Sequence, residues 1–179
     1  MKGLLSGARI LDLTQMLAGP YGTMLLADMG AKVIKIENHA GDFTRFGGHI
    51  SQGGIGAYFL AVNRNKKSVV IDLKTPKGKA VFYDLVRVSD VVVDNMRPQA
   101  LRKLQCDFDD IKEFNSKIIS CSLSGFGHTG PYQERPAFDL TIQAISGGMS
   151  LTGEKGGPPM RMGLPIADTW LFPGENQPT

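Results

Sequence analysis

The chain has 179 residues, enough for one domain with its own core, and its 42% hydrophobic and 21% charged residues exclude a disordered or fibrous protein. A net charge of +3 is too small to signal nucleic-acid binding, and no apolar run reaches the ~20 residues that a membrane-spanning helix needs.

The first predicted strand is Ala8–Leu13, followed by a helix from Gly19-Pro20 through Met29, stopped at Gly30. Lys32–Glu37 is a second strand, and a Gly-rich loop runs from His39 to Gly56. A short helix is expected over Tyr58–Val62 and a third strand over Ser68–Leu73. Thr75-Pro76 caps and starts the next helix, whose apolar stripe reads Val81, Leu85 and Val88. A fourth strand (Asp90–Asp94), short helices over Arg97–Leu104 and Phe108–Asn115, and a fifth strand (Ile118–Leu123) follow. A last helix covers Phe138–Met149, and Met160–Met162 has a strand-like composition.

Val- and Ile-rich strands separated by helical segments imply an α/β fold, a Rossmann-like parallel sheet with helices on both faces. Ligands collect beyond the C-terminal strand ends of such sheets. The candidates there are Gln15–Gly19, Asn38–Arg45, Lys74, Asn95–Arg97 and Ser124–Gly127. Charge is uneven along the chain: residues 1–104 carry 15 Lys/Arg against 8 Asp/Glu, a balance of +7, and residues 105–179 carry 5 against 9, a balance of −4. A basic front portion suits a small anionic ligand, and random surface charge explains it equally well.

Met1–Gly7 is too short and too quickly polar for a signal peptide, so the cytoplasm is the default location, with a processed mitochondrial form as the alternative. Cys106 and Cys121 have no metal spacing and are expected as reduced thiols, one buried in a strand. His39, His49 and His128 are scattered, and no metal site is expected. Gly125–Gly130 spells GxGxxG after a strand, but Pro131 and Pro136 oppose the helix that a dinucleotide site needs behind it. No acidic residue stands about 20 positions further on to take a ribose.

The segment SGARILDLTQMLAGPYGTMLLADMGAKVIKIE at 6–37 closely resembles the opening of the family III CoA-transferases, the formyl-CoA and crotonobetainyl-CoA transferase group. The resemblance continues through Gly41-Asp42, Asn63–Ser68, Asp72-Leu73-Lys74, Asp94–Pro98, Ser124–Gly127, Gly130-Pro131-Tyr132, Phe138-Asp139, Gln143-Ala144 and Pro165–Asp168. It implies transfer of CoA from an acyl-CoA thioester to a free carboxylic acid through an aspartyl-CoA intermediate. By position the acceptor carboxylate is Asp168, which on its own pattern reads more readily as a helix cap. An Asp at a helix start is expected to be kept ionised by the dipole.

The same resemblance implies that Met16, Leu17 and Ala18 lie beside the thioester end of CoA. It places Ile71 and Lys74 near its adenosine, with Asn95, Met96 and Lys103 as further contacts. Lys74, Arg97, Arg102 and Lys103 are cations able to neutralise phosphate, or ordinary solvated side chains. Asn38 stands where some relatives carry a phosphate-binding Arg. Asp139 matches an acidic residue lining the active site and reads otherwise as the N-cap of the following helix. The related α-methylacyl-CoA racemases have a His at the position of Phe138, so two-base proton exchange at an α-carbon lacks one partner here. CoA and acyl-CoA are then substrates, with no permanently bound cofactor, no nucleic acid and no membrane as partner.

Residues 1–169 are expected to form the N-terminal CoA-binding part of the family's large domain, and residues 170–179 an atypical tail, in which Pro173-Gly174 would break the helix after Asp168. The family's small domain, Gly-rich active-site loop and C-terminal return, and the interlocked homodimer they build, are expected to be missing from a truncated chain. The alternative to an active transferase is a non-catalytic fragment that binds CoA or a full-length subunit. Acyl selectivity is expected in the missing half and in the segment Phe46–Gly56.

Overall fold

The computed structural model describes residues 3–46 and 50–170. His49, part of the Phe46–Gly56 segment and the tail beyond residue 170 lie outside the described residues. The chain divides into two compact units, Met1–Leu123 and Ser124–Thr179.

In the first unit, β1 (Arg9–Asp12) leads to α1 (Ala18–Asp28), β2 (Lys32–Glu37), a 3-10 turn (Phe43–Arg45) and the short strands β3 (Ser51–Gln52) and β4 (Ile55–Gly56). Then come α2 (Ala57–Val62), β5 (Lys67–Val70), α3 (Pro76–Arg87), β6 (Val91–Asp94), α4 (Pro98–Leu104), α5 (Phe108–Ile111) and β7 (Ile119–Ser122). Five strands form one parallel sheet in the order β5-β2-β1-β6-β7. The chain winds outward from β1 to one edge, then crosses back to β6 and the other edge. This doubly wound order leaves a crevice at the C-terminal ends of β1 and β6, where neighbouring connections diverge.

Side chains alternate across the strands, and the two faces bury different sets. Leu11, Ile36 and Val92 pack with Phe82 and Val86 of α3, Leu101 of α4 and Ile111 of α5. Ile10, Val33 and Val93 pack on the other face with Ala27 of α1 and Ala31. Helices thus cover both faces, as the strand composition predicts. Among the described residues, no helix is long and apolar enough to cross a membrane.

Several boundaries differ from the sequence expectation. The face that α3 buries is Phe82 and Val86, with Leu85 alongside, whereas Val81 and Val88 are 44% and 55% exposed. Both stripes have helical spacing, and packing against the sheet takes the Phe82–Val86 one inward. The Gly-rich loop contains an antiparallel hairpin, β3–β4, turned by Gly53 and Gly54 at φ +59° and +79°. Two consecutive left-handed residues make the tight turn that matches strand twist, and two glycines supply them. The third strand ends at Val70, although the Ile71 N–H still donates to the Glu37 carbonyl at 2.8 Å. The buried thiol is Cys106, just beyond α4, while Cys121 on β7 is exposed. Burial pushes the Cys106 thiol up to about 12.

The α1 face of the sheet also buries charge. Asp12 Oδ1 accepts from the Thr14 N–H at 2.9 Å and the Thr14 hydroxyl at 2.5 Å, and Asp12 Oδ2 accepts from the Thr23 hydroxyl at 2.8 Å. Lys66 Nζ lies 2.9 Å from Asp12 Oδ2 and also donates to the Pro20 carbonyl and to Asn63 Oδ1. On β2, Lys35 Nζ donates to the Thr14 carbonyl at 2.7 Å and pairs with Asp42 Oδ2 at 3.0 Å. Burial pulls the Lys66 ammonium down to about 8 against the opposing attraction of Asp12.

The second unit holds α6 (Asp139–Ile145), a 3-10 turn (Gly148–Leu151) and α7 (Ile166–Trp170). The expected helix Phe138–Met149 is therefore split, at Gly147 with φ +80°. Met160–Met162 pairs with no strand: the Met162 N–H donates to the Gln143 side chain at 2.8 Å. No helix follows Gly125–Gly130 before Asp139.

Phe82→Ala is expected to destabilise the chain by about 3–5 kcal/mol in urea unfolding, and Val81→Ala by under ~1 kcal/mol. Lys66→Met leaves Asp12 buried without its cation and is expected to cost about 3–5 kcal/mol. The double variant Asp12→Asn/Lys66→Met should cost less than the sum of the single changes, read from the same unfolding curves.

Candidate functional site

In the first unit the C-terminal strand ends enclose a cavity of about 80 Å³, lined among others by Gln15, Asn38, Ile71, Asp72, Lys74 and Met96. Four residues that the sequence nominates, Asn38, Ile71, Lys74 and Met96, therefore meet at one place. Ile71 belongs also to the core beneath, so it offers a packed apolar floor. Asp72 Oδ1 accepts the Lys74 N–H at 3.0 Å, fixing the turn that carries the Lys74 side chain. Asn38 Oδ1 accepts the Ala40 N–H at 2.8 Å.

Glu37 also reaches this wall but is committed elsewhere. Burial would raise its carboxyl, yet the Arg45 guanidinium, the Ser68 hydroxyl and the Asp42 N–H hold it at about 2. It is a fixed anion that ties the 3-10 turn and β5 to β2.

The β1–α1 turn is held from β6. Asn95 Oδ1 accepts the Gln15 N–H at 2.9 Å, and Asn95 Nδ2 donates to the Gln15 carbonyl at 2.7 Å. The next residue, Met16, has φ +69° and is partly exposed. Leu17 is buried, so its side chain belongs to the core and its backbone alone is presented. Ala18 opens α1. Arg97, Arg102 and Lys103 are exposed and stand outside the cavity wall. Arg102 and Lys103 occupy the last turn of α4, where cations complement the helix dipole.

In the second unit, Asp139 and Asp168 come together. Asp139 is the first residue of α6, behind Phe138. Its carboxylate does not cap its own helix: Oδ1 accepts the Ala167 N–H, in the first turn of α7, at 2.9 Å. Asp139 Oδ2 accepts from Gln143 Nε2 at 2.6 Å. Asp168 follows Ala167 and is half-buried. Burial, and then the like charge of Asp139, raise its pKa above the ordinary aspartate range. The shift runs against the helix dipole, which favours the ionised form: desolvation and Asp139 outweigh a dipole of barely more than one turn. Phe138 is 66% exposed beside this pair.

Sequence reasoning marked Asp72 and Gln143 only as motif positions and gave no role to Asp72 and Leu104 in the cavity wall or to Gln143 beneath the carboxylate pair. Asp72 carries a signal, since an Asp two residues before a Lys at a strand end commonly caps the turn. For Gln143 the signal is its i+4 spacing from Asp139.

The sequence matches CoA-transferase family III over residues 5–171. It is 46% identical to succinate–glutarate CoA-transferase of Agrobacterium fabrum, covering 95% of this chain and 44% of that protein. It is 45% identical to human succinyl-CoA:glutarate CoA-transferase, covering 92% of this chain and 38% of that protein. Among solved structures, a CAIB/BAIF family protein from Brucella suis superposes with a TM-score of 0.91 at 40% identity, covering 96% of this chain and 47% of that one. The chain thus spans less than half the length of these relatives. By the extent of the family match, the ordered motifs and the shared fold, this chain belongs to CoA-transferase family III.

Proposed function

We propose that the chain carries the front part of an enzyme that moves coenzyme A from an acyl-CoA thioester to a free carboxylic acid, with Asp168 as the covalent acceptor. The observation that carries this reading is the setting of Asp168: half-buried, in the first turn of α7, beside a second carboxylate whose two oxygens each accept a hydrogen bond. A carboxylate so placed is poorly solvated, which favours attack over idle hydration.

The steps use this one group. The Asp168 carboxylate attacks the thioester carbonyl and expels CoA thiolate, leaving a mixed anhydride. The thiolate attacks the aspartyl carbonyl of the anhydride, giving the aspartyl-CoA thioester and releasing the donor acid as its carboxylate. An incoming carboxylate then attacks the aspartyl thioester, and thiolate returns to the new acyl group, regenerating Asp168. No proton is gained or lost overall. Phe138 offers no base, which supports transfer over proton exchange at an α-carbon.

Residues 1–169 would supply the CoA-binding part of the large domain. Within it the cavity beside Ile71, Met96 and Lys74 suits an adenosine with a phosphate near the ammonium. Asn38, Asn95, Arg97, Arg102 and Lys103 stay in the proposed CoA surface, Asn95 as a brace for the turn at Met16–Ala18. The names of the two relatives, both built on succinate or its CoA ester and glutarate, support short dicarboxylic acids as substrates. The complete protein would be an interlocked homodimer without a resident cofactor.

Incubating the 179-residue chain with succinyl-CoA should give a species heavier by CoA less one water, mapped to Asp168 by peptide mass spectrometry and absent in Asp168→Asn. No adduct on a chain shown to be folded would sink the reading. Because its pKa is raised, Asp168 is protonated, and adduct formation lost, at a pH above the ~3.9 of a free aspartate. Asp139→Asn removes the like charge and should move that loss to lower pH. Lys74→Ala should weaken CoA binding about tenfold by titration calorimetry, with a smaller difference at high salt.

A further inference from the structure

Gln143 is 2% exposed and is the buried residue of α6. A buried primary amide needs partners for both ends, and Gln143 has three. Its Nε2 donates to Asp139 Oδ2 at 2.6 Å and to the Leu164 carbonyl at 3.3 Å, and its Oε1 accepts the Met162 N–H at 2.8 Å. One side chain therefore fastens the irregular segment before α7 at two points of its backbone. It also fixes the rotamer of the one carboxylate, Asp139, that receives the Ala167 N–H.

We propose that Gln143 is the positioning residue of this centre: by holding Asp139 and the Met162–Leu164 backbone, it sets where Asp168 lies and how close the Asp139 charge stands to it. The proposal rests on the transferase reading for its consequence in catalysis, but the arrangement itself can be tested without substrate. Gln143 touches no reacting atom. It acts through Asp139, to which it donates a hydrogen bond, and the Asp139 charge in turn disfavours ionisation of Asp168. A residue that merely filled space in α6 would need none of these three contacts.

Two substitutions separate the roles. Gln143→Leu keeps the bulk and removes every polar contact. Gln143→Glu keeps the acceptor for the Met162 N–H but replaces the amide donor with a carboxylate that repels Asp139 Oδ2. In the full 179-residue chain, carbon-labelled at aspartate, the Asp168 carboxyl titration and the Ala167 amide exchange rate are followed by NMR. In Gln143→Leu, Ala167 exchange should quicken at least tenfold and the Asp168 midpoint should fall toward that of a free aspartate. In Gln143→Glu the lost Asp139 contact should likewise quicken Ala167 exchange at least tenfold.

With succinyl-CoA, Gln143→Leu should slow adduct formation on Asp168 at least tenfold at an unchanged half-saturating concentration. Unaltered Ala167 exchange and Asp168 titration in a folded Gln143→Leu chain would overturn the proposal. If that variant does not fold, unaltered Ala167 exchange in Gln143→Glu overturns it equally. An absent adduct in the parent chain counts against the transferase reading alone, since the NMR measurements need no reaction.

Discussion

Charge buried against the α1 face of the sheet is the constraint on which the first unit depends. Asp12 sits at the end of the central strand with no exposure, and its two oxygens are satisfied by Thr14, Thr23 and Lys66. Lys66 arrives from the connection before β5, and its remaining protons go to Pro20 in α1 and to Asn63 at the end of α2. One ammonium thus joins three separate stretches of chain: β1, α1 and the connection between α2 and β5. Lys35 and Asp42 repeat the device one strand over and tie in the Thr14 carbonyl. An interior pair of this kind contributes little net stability, but losing one member is severe, so it selects one arrangement of the connections over others. What it selects is the β1–α1 turn, at the crevice where the strand order reverses.

The architecture was legible in the sequence wherever bulk hydrophobicity and punctuation agreed. Lys32–Glu37 is a strand over the whole expected range, and Thr75-Pro76 starts α3 with the Thr75 hydroxyl accepting the Gly78 N–H at 3.0 Å. Agreement failed where two patterns fit equally, as on α3, whose stripe is displaced by one residue because only tertiary packing distinguishes Val81 from Phe82. It failed again at Met160–Met162, where apolar residues have no strand to pair with and a side-chain amide takes the backbone N–H instead. Short-range patterns cannot announce a partner 19 residues away.

The candidate site was legible in part for the same reason. Asn38, Ile71, Lys74 and Met96 come together because each follows a parallel strand, and parallel strands end on one side of the sheet. The role of Asn95 was not legible: its amide holds the Gln15 backbone. Nor could the state of Asp168 be read, because it is set by burial and by a carboxylate 29 residues earlier that reaches across to α7. The ordered motifs marked both aspartates as belonging to one family pattern, while the physics that relates them lies in the fold.

The turn at Met16 has a consequence for how this region can vary. A non-glycine residue at φ +69° carries a backbone penalty of ~1–2 kcal/mol, which the surrounding contacts must outweigh. The two hydrogen bonds between Asn95 and Gln15, one in each direction, are the contacts that hold the preceding residue in place. Positions 16 and 95, on different connections, are thereby thermodynamically coupled. A glycine at 16 would release the strain and make the Asn95 brace less necessary, whereas a β-branched residue there would demand it more. The cost of a substitution at one position is therefore expected to depend on the residue at the other.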